Sequence, residues 1–419
     1  MNLDKLIKTL GPGLLYAGAA VGVSHLVQST RAGASFGFEL VWVIIIANLL
    51  KYPFFEFAPR YTAVTGNNLI TGYSKIGRWA VWLFLAVTIA SMFVLQSGVT
   101  IVTAGLVATI FGISIPTFWI SAALLLLTAI ILIVGNYSIL DKLIKYVIVI
   151  LAISTMFAVI SAYYKNGYNP NPEIVKLFDM NNPMDVAFLI AFFGWMPGPM
   201  DISVWQSIWA EAKRKEMKIN IDLKAALLDF KIGYFGTVIL ALAFLALGAL
   251  VMYGSGEEFS GSSSAFASQL IDLFTNSIGM WAYPIIATAA LATMFSTTLT
   301  CFDAYTRSMV PALNLSFKRL EINTPQKEKK WWISMMIILV IGSLIILGFF
   351  ISSMKQMVDF ATTLSFVLAP IIAILNYKVI THNHVPEEYR PKKVFRMYAL
   401  VSIVIMTTFS LFFIYWRFL

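Results

Sequence analysis

Apolar runs of about 20 residues, the length a helix needs to cross the hydrocarbon core of a bilayer, recur along the chain between short polar segments. They lie near Gly13 to Thr30, Phe38 to Phe57, Ala80 to Phe111, Phe118 to Gly135, Leu143 to Tyr163, Val186 to Trp209, Ala226 to Met252, Trp281 to Ala312, Trp332 to Ile351, Met357 to Ile380 and Arg396 to Tyr415. The runs lack the strict two-residue alternation of barrel strands, and lipid cannot satisfy a bare backbone. The pattern therefore predicts an all-α integral membrane protein with about eleven transmembrane helices.

Two of these runs are interrupted. The first, GPGLLYAGAAVGVSHLVQST, has a Gly/Ala/Ser-rich centre from Ala17 to Ser24, and the sixth contains FFGWMPGPMDISVWQ, Phe192 to Gln206. The two breaks stand five spans apart. With that odd spacing, if spans one to five and six to ten are structural copies, the second copy is inverted in the membrane. The expected organisation is one membrane domain over 1–419, with inverted five-helix repeats at about 10–165 and 183–381 and an extra span at about 395–417. Interrupted helices at matching positions point to a midplane site, because half-helix ends expose unpaired N–H and C=O groups.

Composition agrees with the pattern: 59% of residues are hydrophobic and 12% charged, against about 25% charged in soluble domains. The net charge of +9 does not form a nucleic-acid patch. Lysine and arginine gather in alternate loops, among them Arg60 to Arg78, Lys142 and Lys145, Glu211 to Lys218, Lys318 to Lys330 and Arg390 to Arg396. The positive-inside rule then predicts a cell-membrane protein with a cytoplasmic N-terminus, Leu419 outside, and the loop bearing Glu257, Glu258 and SGSSS facing out. The longest polar segment, Ser316 to Lys330, reads as a loop. The first run shows no clear cleavage site and reads as a mature span. The single cysteine, Cys301, excludes a disulfide framework and a cysteine-cluster metal site. HExxH, nucleophile-elbow and phosphate-loop motifs are missing, which argues against an enzyme and against a cofactor. A channel would need a repeated filter loop or a charged pore ring, and the sequence offers neither.

The candidate chemistry sits at the breaks. Gly22, Val23, Ser24, His25 and Gln28 mark the first, while Phe192, Phe193, Trp195, Met196, Gly198 and Asp201 mark the sixth. Aromatic walls with a few polar anchors suit a small organic solute, and half-helix N-termini suit an anionic group. Three residues carry two readings each. Asp201 either caps the second half-helix or acts on the solute or a coupling cation. His25 either bonds a carbonyl or carries a coupling proton, and Met196 either fills a gap or offers a sulfur. Elsewhere, Glu56 with Arg60 and Asp303 with Arg307 have the acid-before-base spacing of helical ion pairs. Thr362, Thr363 and Ser365 read as interhelical hydrogen-bonding groups. His382 and His384 read as a solvated pair in a basic loop.

The GPG at Gly11 to Gly13, then SFGFELVWVIIIANLLKY, APRYTAVTGNNL and the MPG at Met196 to Gly198, resemble in order the motifs of the Nramp divalent-metal transporters. The resemblance spans nearly the whole chain. It implies the LeuT-like inverted-repeat fold, transport by alternating access, and a coupling proton or cation. That family binds metal through a first-span DPGN, using its Asp and Asn, with a sixth-span methionine sulfur and a carbonyl. Counted without gaps, those four positions fall on Gly22, Val23, Ser24 and His25, so Met196 is the one retained ligand. The histidine of the family's MPH falls on Gly198, and the third span has Gln96 where the family keeps an acidic pair. A hard divalent ion wants oxygen ligands and a carboxylate. The expectation is thus a secondary transporter of a small solute with a degenerate metal site. The alternative is a divalent-metal transporter using Met196, His25 and Asp201.

Overall fold

The structure is a computed structural model and describes residues 12–135, 137–217, 222–317, 320–349 and 353–418. Among these residues the regular structure is helical throughout. The chain runs through α1 (Pro12–Ala20), a π-helical segment (Val23–Ser29), α2 (Thr30–Phe36), α3 (Val41–Thr65), α4 (Leu69–Ile76), α5 (Arg78–Phe111), α6 (Thr117–Val134) and α7 (Tyr137–Asn166). It continues through α8 (Pro183–Gly194), α9 (Asp201–Met217), α10 (Leu223–Val251), α11 (Ser263–Ile278), α12 (Tyr283–Ser316), α13 (Pro325–Phe349), α14 (Met354–Thr381) and α15 (Lys393–Phe418).

Among the described residues, eight helices are long and apolar enough to cross a membrane. The first and sixth runs fail that test because each is two pieces, α1 with α2 and α8 with α9. The 30-residue α7 contains the apolar segment Val149–Lys165. Two helices fall outside the sequence reading. α4 is capped by Asn68, whose side chain accepts from Thr71 N at 3.0 Å, immediately after α3 stops at Gly66 with φ +73°. The left-handed φ is what calls for glycine there. α11 occupies the loop expected to face out, burying Phe266, Leu270, Ile271 and Phe274 on one side. α13 starts at Pro325, inside the polar segment read as a loop.

Small residues let the first span dock closely on α10. A Cβ at Gly33 would sit 1.9 Å from Leu245 O, and one at Gly248 would sit 2.2 Å from Thr30 O. Without a hydrophobic force between helices in lipid, such close backbone contact is what holds spans together. Large apolar side chains remain exposed on α6 (Leu126, Ile130), α13 (Ile337, Ile341) and α15 (Phe409, Phe412), a lipid-facing girdle. α15 is tied back to α3 by the Tyr398 hydroxyl on Leu49 O.

The expected helical ion pairs form, with Arg60 Nη2 at 2.5 Å from Glu56 Oε1 and Arg307 Nε at 2.6 Å from Asp303 Oδ1. The histidine pair is not simply solvated. His382 Nδ1 and His384 Nδ1 lie 2.7 Å apart, and the Tyr61 hydroxyl of α3 lies 3.1 Å from His384 Nε2, so the α14–α15 turn docks on the end of α3.

Candidate functional site

The first break opens between α1 and the π-helical segment, at Val21 and Gly22. A hydroxyl on α12 faces its freed carbonyls: Thr297 Oγ1 lies 3.1 Å from Val21 O and 3.3 Å from Gly18 O, and shares its one proton between these and Thr293 O of its own helix at 3.0 Å. A Cβ at Gly22 would meet the same hydroxyl at 2.7 Å, so this close approach requires glycine. One step on, a chain of contacts runs from Ala20 O to Ser24 Oγ (2.5 Å), from Ser24 Oγ to His25 Nδ1 (2.7 Å) and from His25 Nε2 to Thr237 O (2.9 Å). Both ends are carbonyls and only accept. Neutral imidazole and the serine hydroxyl supply two protons for three contacts, whereas imidazolium supplies three. His25 itself is fully buried and turned toward α10.

At the second break α8 ends at Gly194, residues 195–200 are irregular, and α9 starts at Asp201. Trp195 Nε1 donates to Ser365 Oγ on α14 at 2.6 Å. Lys51, from the middle of α3, is fully buried and donates to Phe193 O (2.9 Å), Gly194 O (2.8 Å) and Gly198 O (3.5 Å). Asp201 is 5% exposed, and its Oδ1 has no hydrogen-bond partner. The nearby Gln206 amide and Tyr305 hydroxyl are also buried without partners.

Between the breaks lies a cavity of about 20 Å³, room for roughly one water. The first span contributes Ala19, Ala20, Val23 and Ser24, the sixth Trp195, Pro199 and Trp205, α5 Leu95 and Val99, and α12 Thr297 and Cys301. Its polar groups are therefore hydroxyls, an indole and a thiol. This conformation is closed. On one side the closure is sealed by Arg31 of α2, whose Nη1 and Nη2 grip Asp359 Oδ1 and Oδ2 of α14 at 2.6 and 3.0 Å. Gln28 braces the pair by accepting from Arg31 at 3.0 Å and donating to Asp359 at 3.1 Å. On the other side, Asn376 of α14 ties Tyr73 of α4, Phe54 of α3 and Ser203 of α9.

The sequence-derived residues divide here. Val23, Ser24 and Trp195 line the cavity, and Gly22 abuts its Thr297 wall. Gly198 gives its carbonyl to Lys51, while Phe193 packs on Phe366. Met196 is buried in an apolar cluster with Phe36, Val43, Phe192 and Leu245, away from the cavity lining. His25 and Asp201 are likewise not on the lining. Lys51, Thr297, Trp205 and the Arg31–Asp359 pair were missed. Lys51 alone left a signal, a lysine in mid-span. Among the described residues, three or more His, Cys, Asp or Glu side chains nowhere group as metal ligands would.

The sequence profile described as "Natural resistance-associated macrophage protein-like" (Nramp) matches residues 13–416. An uncharacterised protein of Pasteurella multocida (strain Pm70) is 35% identical over 406 residues, 97% of this chain and 91% of its own length. The metal transporter Nramp6 of Arabidopsis thaliana is 23% identical over 303 residues, 70% of this chain and 56% of the plant protein. Among solved structures, the Eremococcus coleocola manganese transporter superposes with a TM-score of 0.68 at 14% identity, covering 97% of this chain and 86% of that one. MhsT in complex with L-phenylalanine superposes with a TM-score of 0.63 at 15% identity, covering 96% of this chain and 97% of that one. The fold is the LeuT-like transporter fold.

Proposed function

Because the chain belongs to the Nramp family and is a multi-pass secondary transporter, we propose that its cargo is a small, predominantly apolar organic solute, held between the breaks at Gly22 and at Trp195 to Asp201. The observation that carries this reading is the lining of the central cavity: Trp195, Trp205, Leu95 and Val99 form its walls, with Ser24, Thr297 and Cys301 as polar points and no carboxylate. A hard divalent ion entering there would lose its hydration shell without a compensating charge. Met196, the retained family ligand, has its sulfur in an apolar cluster instead. Alternating access then exposes this volume to each side in turn, with the repeats at about 10–165 and 183–381 moving against one another and the span at 395–417 accessory. The N-terminus is cytoplasmic, the C-terminus outside, and the host membrane the cell membrane. His25 is the coupling-proton candidate, since its contact chain is completed by one more proton.

A second reading has its own observation. The unpartnered Oδ1 of Asp201, buried at the start of α9, is a carboxylate in search of a cation. The relatives named metal transporters favour that reading. It makes Asp201 the acid that accompanies a divalent ion, with Met196 and His25 turning inward during the cycle. The test is Mn²⁺ influx into proteoliposomes beside a binding screen of small organic solutes. The main reading expects no saturable Mn²⁺ influx and a binder whose affinity falls at least about tenfold in Trp195→Ala. Saturable Mn²⁺ influx abolished by Asp201→Asn and by Met196→Ala would establish the second reading in its place.

A further inference from the structure

The Lys51 ammonium sits where three backbone carbonyls converge on the sixth-helix break. Phe193 O and Gly194 O are terminal carbonyls of α8, of which Phe193 O also accepts from Met196 N at 3.3 Å, and Gly198 O belongs to the irregular segment that follows. Such a set, the negative end of a half-helix plus unwound carbonyls, is what binds a bare monovalent cation in broken-helix transporters. Here it is already filled. The ammonium has three protons for three carbonyls, so the set is complete only with the charged form, and the Phe193 ring lies 5.5 Å from Nζ on a further side. Lys51 is fully buried, and among the described residues no carboxylate accepts from it. A merely structural lysine would more economically pair with an acid or reach water.

We infer that Lys51 is a tethered cation: its ammonium permanently occupies a monovalent-cation site at the sixth-helix break, and the protein draws on no free Na⁺ or K⁺ there. The stem of α3 delivers the charge at fixed stoichiometry, and the break keeps its geometry in every step of the cycle. The inference holds whichever solute the protein carries.

Removing the side chain should turn an internal cation into an external requirement. The purified full-length protein is melted in detergent with choline, Na⁺, K⁺, methylammonium or tetramethylammonium as the only monovalent cation. The wild-type Tm is expected to be indifferent to the choice. Lys51→Ala should melt lower by roughly 5 °C or more and recover saturably in methylammonium, which has N–H donors and fits the vacated space. Tetramethylammonium, with the same charge and no N–H, should not restore it. Lys51→Met, which fills the space without charge, should be destabilised and unresponsive to any of the salts. If Lys51→Ala does not fold in choline, folded yield after purification in methylammonium against tetramethylammonium gives the same comparison. Wild-type stability in Lys51→Met, or equal behaviour of Lys51→Ala in the two ammonium salts, overturns the inference.

Discussion

Thr297 and Gly22 make one device from two residues that are distant in sequence. The hydroxyl occupies the space a Gly22 side chain would need and faces the carbonyls that the first break sets free. Thr297→Val keeps the shape and removes the hydroxyl, so it should cost about 1–3 kcal/mol, read by thermal unfolding. Gly22→Ala should cost about 1–3 kcal/mol by overpacking, and Thr297→Ala in the same chain should return part of that loss. Strict additivity of the two substitutions would show that the close approach is not what requires glycine. His384, in the α14–α15 turn, titrates in a predictable direction. Partial burial first, and then the nearby His382, Lys75 and Arg390, lower the pKa of His384 below its ordinary value of 6.5. The unfolded chain then takes up a proton at His384 before the folded one does, so docking of the turn is at full strength above pH about 6.5 and weakens as the pH falls below it. Histidine NMR titration of the wild type and of His382→Ala checks this: the His384 midpoint should lie below 6.5 and rise in the variant.

Each broken helix is stabilised from outside itself. The first break rests on α12 and the second on α3 and α14, which explains why its prolines and glycines could be read from sequence but its partners could not. Lys51 is 142 residues from Phe193, and Thr297 is 276 residues from Val21. Local composition reports that a helix stops; it carries no record of which side chain will satisfy the freed groups. His25 illustrates the same gap, since only the position of Thr237 on α10 decides what its Nε2 meets. The Arg31–Asp359 clamp joins α2 to α14 in a bidentate geometry that lysine cannot reproduce. Asp359→Asn should loosen both helices, seen as faster amide hydrogen exchange over residues 28–36 and 354–362 with little change in α6. Arg31→Lys should give an intermediate rate. Unchanged exchange in both variants would mean that the pair is incidental to closure.

For the molecule as a whole, the length and spacing of the apolar runs were enough to foresee a helical membrane protein, and the paired breaks with the Nramp resemblance pointed to a transporter. The helices that escaped, α4 and α11, are short and lie in polar connections, where no membrane-length rule applies. α11 is amphipathic and buries Phe266, Leu270 and Phe274, so a helical-period search of that connection would have found it. The charge asymmetry of the loops makes a further statement about the assembled protein. In a Cys301→Ser background, a cysteine at Ser262 should react with an impermeant thiol reagent on intact cells, and one at Lys215 should react only after permeabilisation. The opposite labelling would invert the proposed orientation.

Cys301 lines the closed cavity, is 4% exposed, and is the single cysteine in 419 residues. The native chain therefore carries its own reporter in the cavity proposed to hold the cargo. With the cavity shut, a small methanethiosulfonate reagent has no route to the sulfur, and the rate of modification should equal the fraction of time the cavity is open multiplied by the reactivity of the exposed thiol. A compound that occupies the cavity would slow that rate, so protection of one native thiol, followed by intact-protein mass spectrometry, is a screen for the cargo that needs neither a label nor a transport assay.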